Sequence, residues 1–153
     1  MPTYALLIKY TKSQHVKVGA KGYIDIKAGS YLYIGSAKKS WEKRVGRHLK
    51  KEKKLRWHID YLLSTKSTSI EEVWINQNSC ECETAKAIAD LKNSAVVAKK
   101  IGSSDCRCPT HFFYIKNGFT NVKELLNKLI FATVKIEKNS ITLNSTADDN
   151  HNS

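Results

Sequence analysis

The chain has 153 residues, with 26 Lys and Arg against 14 Asp and Glu, a formal net charge of +12 and four cysteines. That length suffices for one domain with a proper core and is short for two. No apolar run approaches the ~20 residues of a membrane-spanning helix, and Met1-Pro2-Thr3 lacks the basic start and cleavage site of a signal peptide. A cytoplasmic, possible nucleoid-associated protein without membrane attachment is therefore expected, its cysteines reduced.

Tyr4 to Tyr10 (YALLIKY) is almost continuously apolar, the pattern of a central strand buried on both faces. Alternation at Val16 and Val18, then at Tyr23, Ile24 and Ile26, with Gly19 and Gly22 between, predicts a hairpin feeding a strand over Tyr31–Ile34. From Trp41 the period becomes helical: Val45, Leu49, Leu55, Ile59, Leu62 and Leu63 place helices over Ser40–Lys51 and Leu55–Leu63. Ile70–Ile75 reads as a strand, Glu81–Leu91 as a helix, Val96 and Val97 as a short strand or turn. Gly102–Pro109 is a loop, His111–Ile115 a strand, and Thr120–Ile130 a helix with Thr120 as its N-cap. The expected fold is α/β, a small mostly antiparallel sheet of three to five strands flanked by helices. Residues 1–138 form the single domain; from Asn139 the Asn, Ser, Thr and Asp content predicts a disordered polar tail.

The cations crowd into one segment: Lys38, Lys39, Lys43, Arg44, Arg47, Lys50, Lys51, Lys53, Lys54 and Arg56. Such density is the footprint of a polyanion-binding face. Lys38, Lys39, Lys43, Arg47, Lys50, Lys51, Lys53, Lys54 and Arg56 are therefore candidate nucleic-acid contacts. Beside them, Tyr31 and Tyr33 share one strand face, and Arg44 and His48, four apart, share one helix face. If that helix packs over the strand end, a phenol, a guanidinium and an imidazole meet. The guanidinium would grip phosphate oxygens, phenol or imidazole would move a proton, and a divalent ion would be the third component. Glu81 and Glu83 are its candidate ligands; two apart on a helix they diverge, so only one faces the site.

Tyr4 in PTYALL, then YLYIGSA, R-x-x-x-H and a later helical glutamate resemble the GIY-YIG nuclease superfamily. The blocks GSYLYIGSA, RVGRHL, KKLRWHIDYLL, CECETA and SDCRCPTHFFY, spread over Thr3–Tyr114, are most similar to its small stand-alone Uri-like branch. The resemblance implies a metal-dependent nuclease hydrolysing DNA phosphodiester bonds, structure-selective rather than sequence-specific, and work in DNA repair or processing. It assigns Tyr4, Tyr33, Arg44 and His48 to catalysis and one Mg²⁺ or Mn²⁺ to Glu81, with Glu83 as the fallback. Supporting positions are Gly35, Ser36, His58 and Asp60, with Asp105 or His111 standing in for a late asparagine of the family. The first triplet lacks the family's glycine and isoleucine, and Ser36 stands where some relatives have lysine. The rival is a non-catalytic nucleic-acid-binding module of the same fold, in which Trp41, Trp57 and Trp74 stack bases.

The cysteines Cys80, Cys82, Cys106 and Cys108 invite a zinc reading. Cys80 and Cys82 diverge on a helix, so the four thiols do not easily close one tetrahedron. Cys82, Cys106, Cys108 and His111 form the remaining, less favoured ligand set, and reduced packing thiols are the expectation.

Overall fold

The computed structural model describes residues 1–137 and the backbone of residues 140–143. Its centre is the strand β1 (Thr3–Tyr10), whose apolar run is hydrogen-bonded on both sides. One neighbour is β4 (Gly29–Ser36), where Tyr4 faces Gly35 and Leu6 faces Tyr33. The other is β5 (Thr68–Asn76), also antiparallel, with a shift of register after Leu7. Beyond β4 come β7 (Phe112–Ile115) and then β6 (Ser94–Val96). Beyond β5 come β8 (Ala132–Glu137) and β9 (Ser140–Leu143). The seven-stranded order is β6-β7-β4-β1-β5-β8-β9, and every pairing is antiparallel.

The period-2 alternation of β1 divides the core in two. Tyr4, Leu6, Ile8 and Tyr10 belong to one cluster with Trp41, Val45, Ile59, Leu62 and Leu63. These last come from α1 (Trp41–Leu49) and α2 (His58–Leu63). The same cluster takes Val16 and Ile24 from the separate hairpin of β2 (Gln14–Lys17) and β3 (Tyr23–Ile26). Ala5 and Leu7 point to the opposite face, against Ala85 and Ile88 of α3 (Glu81–Ala89) and Val122 and Leu126 of α4 (Thr120–Lys128). The architecture is the expected antiparallel α/β fold, with a larger sheet than three to five strands.

Three local expectations change. The second helix begins at His58 and not Leu55, because Asp60 Oδ2 accepts the N–H groups of Arg56 (2.8 Å) and Trp57 (2.9 Å) and so closes the helix start at Trp57. Thr120 lies inside α4, and Phe119 occupies the cap position. Ser140–Leu143 pairs with β8 as a strand, so the ordered unit passes the expected boundary at residue 138; the other residues assigned to the tail lie outside the described set. Among the described residues, no helix is long and apolar enough to cross a membrane, and all four cysteines are free thiols.

Candidate functional site

At one end of β1 and β4 a cleft of about 420 Å³ opens, lined by Tyr4, Tyr33, Gly35, Ser36, Arg44, His48 and Glu81, among others. Each side chain is delivered by a different constraint. Tyr4 and Tyr33 come from adjacent central strands. Arg44 and His48 share one face of α1, whose start is capped by Ser40 Oγ accepting from the Lys43 N–H at 3.2 Å. Glu81 is the first residue of α3, where a carboxylate complements the helix dipole.

Two glycines make room for the two phenols. A Cβ on Gly35 would stand 2.7 Å from Tyr4 Cε1 and nearer still to Cζ and the hydroxyl. A Cβ on Gly102, whose φ of +75° itself favours glycine, would stand 2.7 Å from the Tyr33 hydroxyl. Thus the expected supporting role of Gly35 is steric, and Gly102 does for Tyr33 what Gly35 does for Tyr4.

At the floor, the Tyr4 hydroxyl and His48 Nε2 are 2.7 Å apart. Burial, aided by Lys53, Arg47 and Arg44 and opposed by Asp60, pushes the His48 imidazole down to about 3. It is therefore neutral at physiological pH, with Nδ1 buried and without a hydrogen-bond partner. Burial, reinforced by Tyr33 and Glu81, raises the Tyr4 phenol well above its ordinary value; burial and Glu81 raise Tyr33 as well. The resting floor is thus a neutral phenol–imidazole pair. The cationic wall is Arg44, which donates through Nη1 to Ser36 O (3.1 Å) and lies 4.7 Å over the Trp57 ring. That carbonyl takes one of five guanidinium donors, leaving a fork toward the cleft.

Glu81 and Asp105 are the carboxylates lining the cleft among the described residues. A hard divalent ion that keeps several waters and takes one or two carboxylates plus substrate phosphate oxygens fits this donor set. Glu83 is exposed and lines grooves away from the cleft, so the geometry separates the two glutamates.

The basic segment splits. Lys38, Lys39 and Lys43 are exposed and form a lip continuous with Arg44. Lys50, Lys54 and Arg56 are exposed too, and Arg56 lines the cleft. Arg47, Lys51 and Lys53, expected on the nucleic-acid face, are engaged in bonds within the chain, Lys51 while remaining exposed. Arg47 makes a two-pronged pair with Asp60, at 2.7 and 2.8 Å, and donates to Lys54 O. Burial disfavours the Asp60 charge, but the bonds from Arg47, Trp57 and Arg56 outweigh it and hold the carboxyl below its ordinary value. Lys51 reaches the carbonyls of Leu63, Thr65 and Thr68. Lys53 caps α1 at Arg47 O and His48 O, both 3.2 Å, and burial lowers it to about 8.

Asp60 is accordingly a buried structural anchor, bonded to Arg47 and backbone N–H groups, while His58 lines the cleft. Of the three tryptophans, Trp41 and Trp74 are buried in the two cores, and Trp57 is the exposed one at the cleft, beneath Arg44 and Arg47. His111 is wholly buried behind the cleft, whereas Asp105 lines it, so Asp105 alone retains the proposed stand-in position. Ser104 also lines the cleft; nothing in its loop's polar composition distinguishes it from Ser103.

Residues 3–133 match the family described as "Domain of unknown function DUF123", and the chain belongs to that family. No curated protein and no solved structure matches it.

Proposed function

We propose that the protein is a metal-dependent nuclease of GIY-YIG type acting on DNA, selecting substrate by structure rather than sequence. The observation that carries this reading is the convergence of Tyr4, Tyr33, Arg44, His48 and Glu81, drawn from four separate elements, on one cleft with a basic lip. The lip and the exposed cations hold a phosphodiester backbone without reading bases, a mode that weakens with salt. Arg44 binds the non-bridging oxygens in its fork and favours the added charge of the pentacoordinate transition state.

Proton movement falls to the Tyr4–His48 pair. In the resting cleft neither group ionises readily, because both are buried and His48 sits, in addition, among Lys53, Arg47 and Arg44. A bound diester brings negative charge that offsets those cations, raising the basicity of His48 Nε2; that nitrogen then takes the Tyr4 proton as the phenol oxygen takes one from the attacking water. A Mg²⁺ or Mn²⁺ held by Glu81 would supply Lewis-acid stabilisation of developing oxyanion charge. A place in DNA repair or processing follows from structure-selective cutting.

The test incubates purified protein with labelled single-stranded, duplex and branched DNA, with Mg²⁺, Mn²⁺ or chelator. Metal-dependent cutting is expected from wild type and Glu83→Gln, and binding without cutting from Glu81→Gln. Undiminished cutting by Glu81→Gln refutes the ligand assignment; binding without hydrolysis by wild type leaves a nucleic-acid-binding module instead.

A further inference from the structure

Behind the cleft, Cys82 at the start of α3 meets Cys106, Cys108 and His111 from the segment between β6 and β7, and one donor atom from each lies within 4.8 Å of all the others. We propose that these four residues bind one structural Zn²⁺. Zinc in a filled tetrahedron takes Zn–S of about 2.3 Å and Zn–N of about 2.0 Å, so its donor atoms stand about 3.5–3.8 Å apart. The cluster therefore needs a contraction of at most about 1.0–1.3 Å at its widest edge. Three thiols and one imidazole are a soft, nitrogen-and-sulfur set suited to zinc, and four protein ligands leave no open position for catalysis.

The histidine supplies an independent observation. His111 is completely buried, yet its Nε2 has only a 3.7 Å contact with Cys106 Sγ, and its Nδ1 has no hydrogen-bond partner. One ring nitrogen of a buried imidazole is thus left without a partner and the other with only a weak bond to sulfur, a costly arrangement. Zinc on Nε2 resolves one end. The other end, Nδ1, lies 3.7 Å from Glu81 Oε2, the geometry of a metal–histidine–carboxylate relay that fixes tautomer and ring orientation once it tightens.

The backbone holds the segment ready for this role. Lys100 N–H donates to Pro109 O at 2.6 Å and His111 N–H to Ile101 O at 2.8 Å, closing the loop at its neck. Lys100 Nζ, at 2.7 and 3.2 Å, donates to the carbonyls of Cys106 and Cys108. Binding displaces three thiol protons and leaves the zinc with three thiolates, a unit of net charge −1 beside that ammonium. Cys80, the cysteine paired with Cys82 in sequence, is exposed and outside the cluster. Because the same loop carries Gly102, Ser104 and Asp105 into the cleft, the ion would clamp one cleft wall to α3. The ion site stands without the cleavage reading; only the consequence that it orients Glu81 rests on that reading.

Metal content, measured without nucleic acid, separates the two. The full chain purified without added metal is expected to carry about one zinc, retained in Cys80→Ser and at least tenfold depleted in Cys106→Ser and Cys108→Ser. Cobalt(II) added to the zinc-stripped wild type should give tetrahedral visible bands with thiolate charge transfer, which keeps the test decisive where a cysteine variant does not fold. Trace zinc with no such cobalt spectrum overturns the proposal, as does zinc loss from Cys80→Ser equal to that from Cys108→Ser.

Discussion

The substitution Gly35→Ala probes the packing that poises the candidate floor. Gly35 sits directly opposite Tyr4 in the central ladder of the sheet, and the added methyl would meet the phenol ring well inside van der Waals contact. Tyr4 is also paired with Ile75 on its other edge, and β4 with β7 as far as Tyr33, so the backbone is largely held and the ring has to swing. Displacing the ring from its rotamer costs about 0.5–1.5 kcal/mol, and leaving buried His48 Nε2 without its phenol costs about 1–3 kcal/mol more. A total of about 1.5–4.5 kcal/mol corresponds to a drop of about 0.8–2.2 M in the urea midpoint at a slope of about 2 kcal/mol per M. Gly46→Ala is the control: Gly46 lies within α1 with nothing within 4 Å of a new Cβ, and alanine there should stabilise by about 0.5–1 kcal/mol. A Gly35→Ala midpoint within about 0.3 M of wild type, at unchanged slope, would refute the steric argument.

Two further outcomes follow from the buried titratable groups. His48 is held neutral down to about 3 against an ordinary value of 6.5, so its contribution is complete above the unfolded value and is lost as pH falls from there toward the folded one. The stability difference between wild type and His48→Gln should shrink by up to about 1.4 kcal/mol per pH unit below about pH 6; a difference constant between about pH 7 and 4 contradicts the neutral imidazole. Asp60→Ala removes a fully buried carboxylate that holds Arg47 and two backbone N–H groups, and about 2–4 kcal/mol of destabilisation by urea titration is expected. A loss below about 1 kcal/mol would mean that Arg47 is a surface cation after all.

The central elements were legible because their patterns have one reading. YALLIKY is too apolar for any half-exposed strand, and it lies in mid-sheet with Tyr4, Leu6, Ile8 and Tyr10 on one side and Ala5 and Leu7 on the other. The edge strands carry weaker patterns. In β8 only Val134 is buried among alternating partners of mixed polarity, and β9 has the Ser and Thr content of a tail; pairing between neighbouring strands, which leaves no mark in composition, makes them a sheet edge. Likewise Leu55 fits a helical period, but the carboxylate at position 60, three residues past Trp57, decides where the backbone turns.

At the site, spacing located what shares an element and failed where one side chain has two plausible partners. The four-residue interval brought Arg44 and His48 together, and both line the cleft. Arg47, of the same type and in the same run as the exposed lysines, turned inward because a carboxylate thirteen residues later sits beneath it. A guanidinium in a sequence announces an anion without saying whether that anion is a phosphate or the chain's own aspartate. The cysteines show the converse: Cys80 and Cys82 look like a pair in sequence, yet the helix start sends one to solvent and the other to Cys106, Cys108 and His111, the less favoured of the sets the sequence offered. Divergence along the helix, which argued against four thiols in one tetrahedron, is what frees the fourth position for an imidazole. That imidazole lies between the cluster and Glu81, 3.7 Å from its carboxylate, so an ion held by the soft donors would also set the position of the cleft's carboxylate.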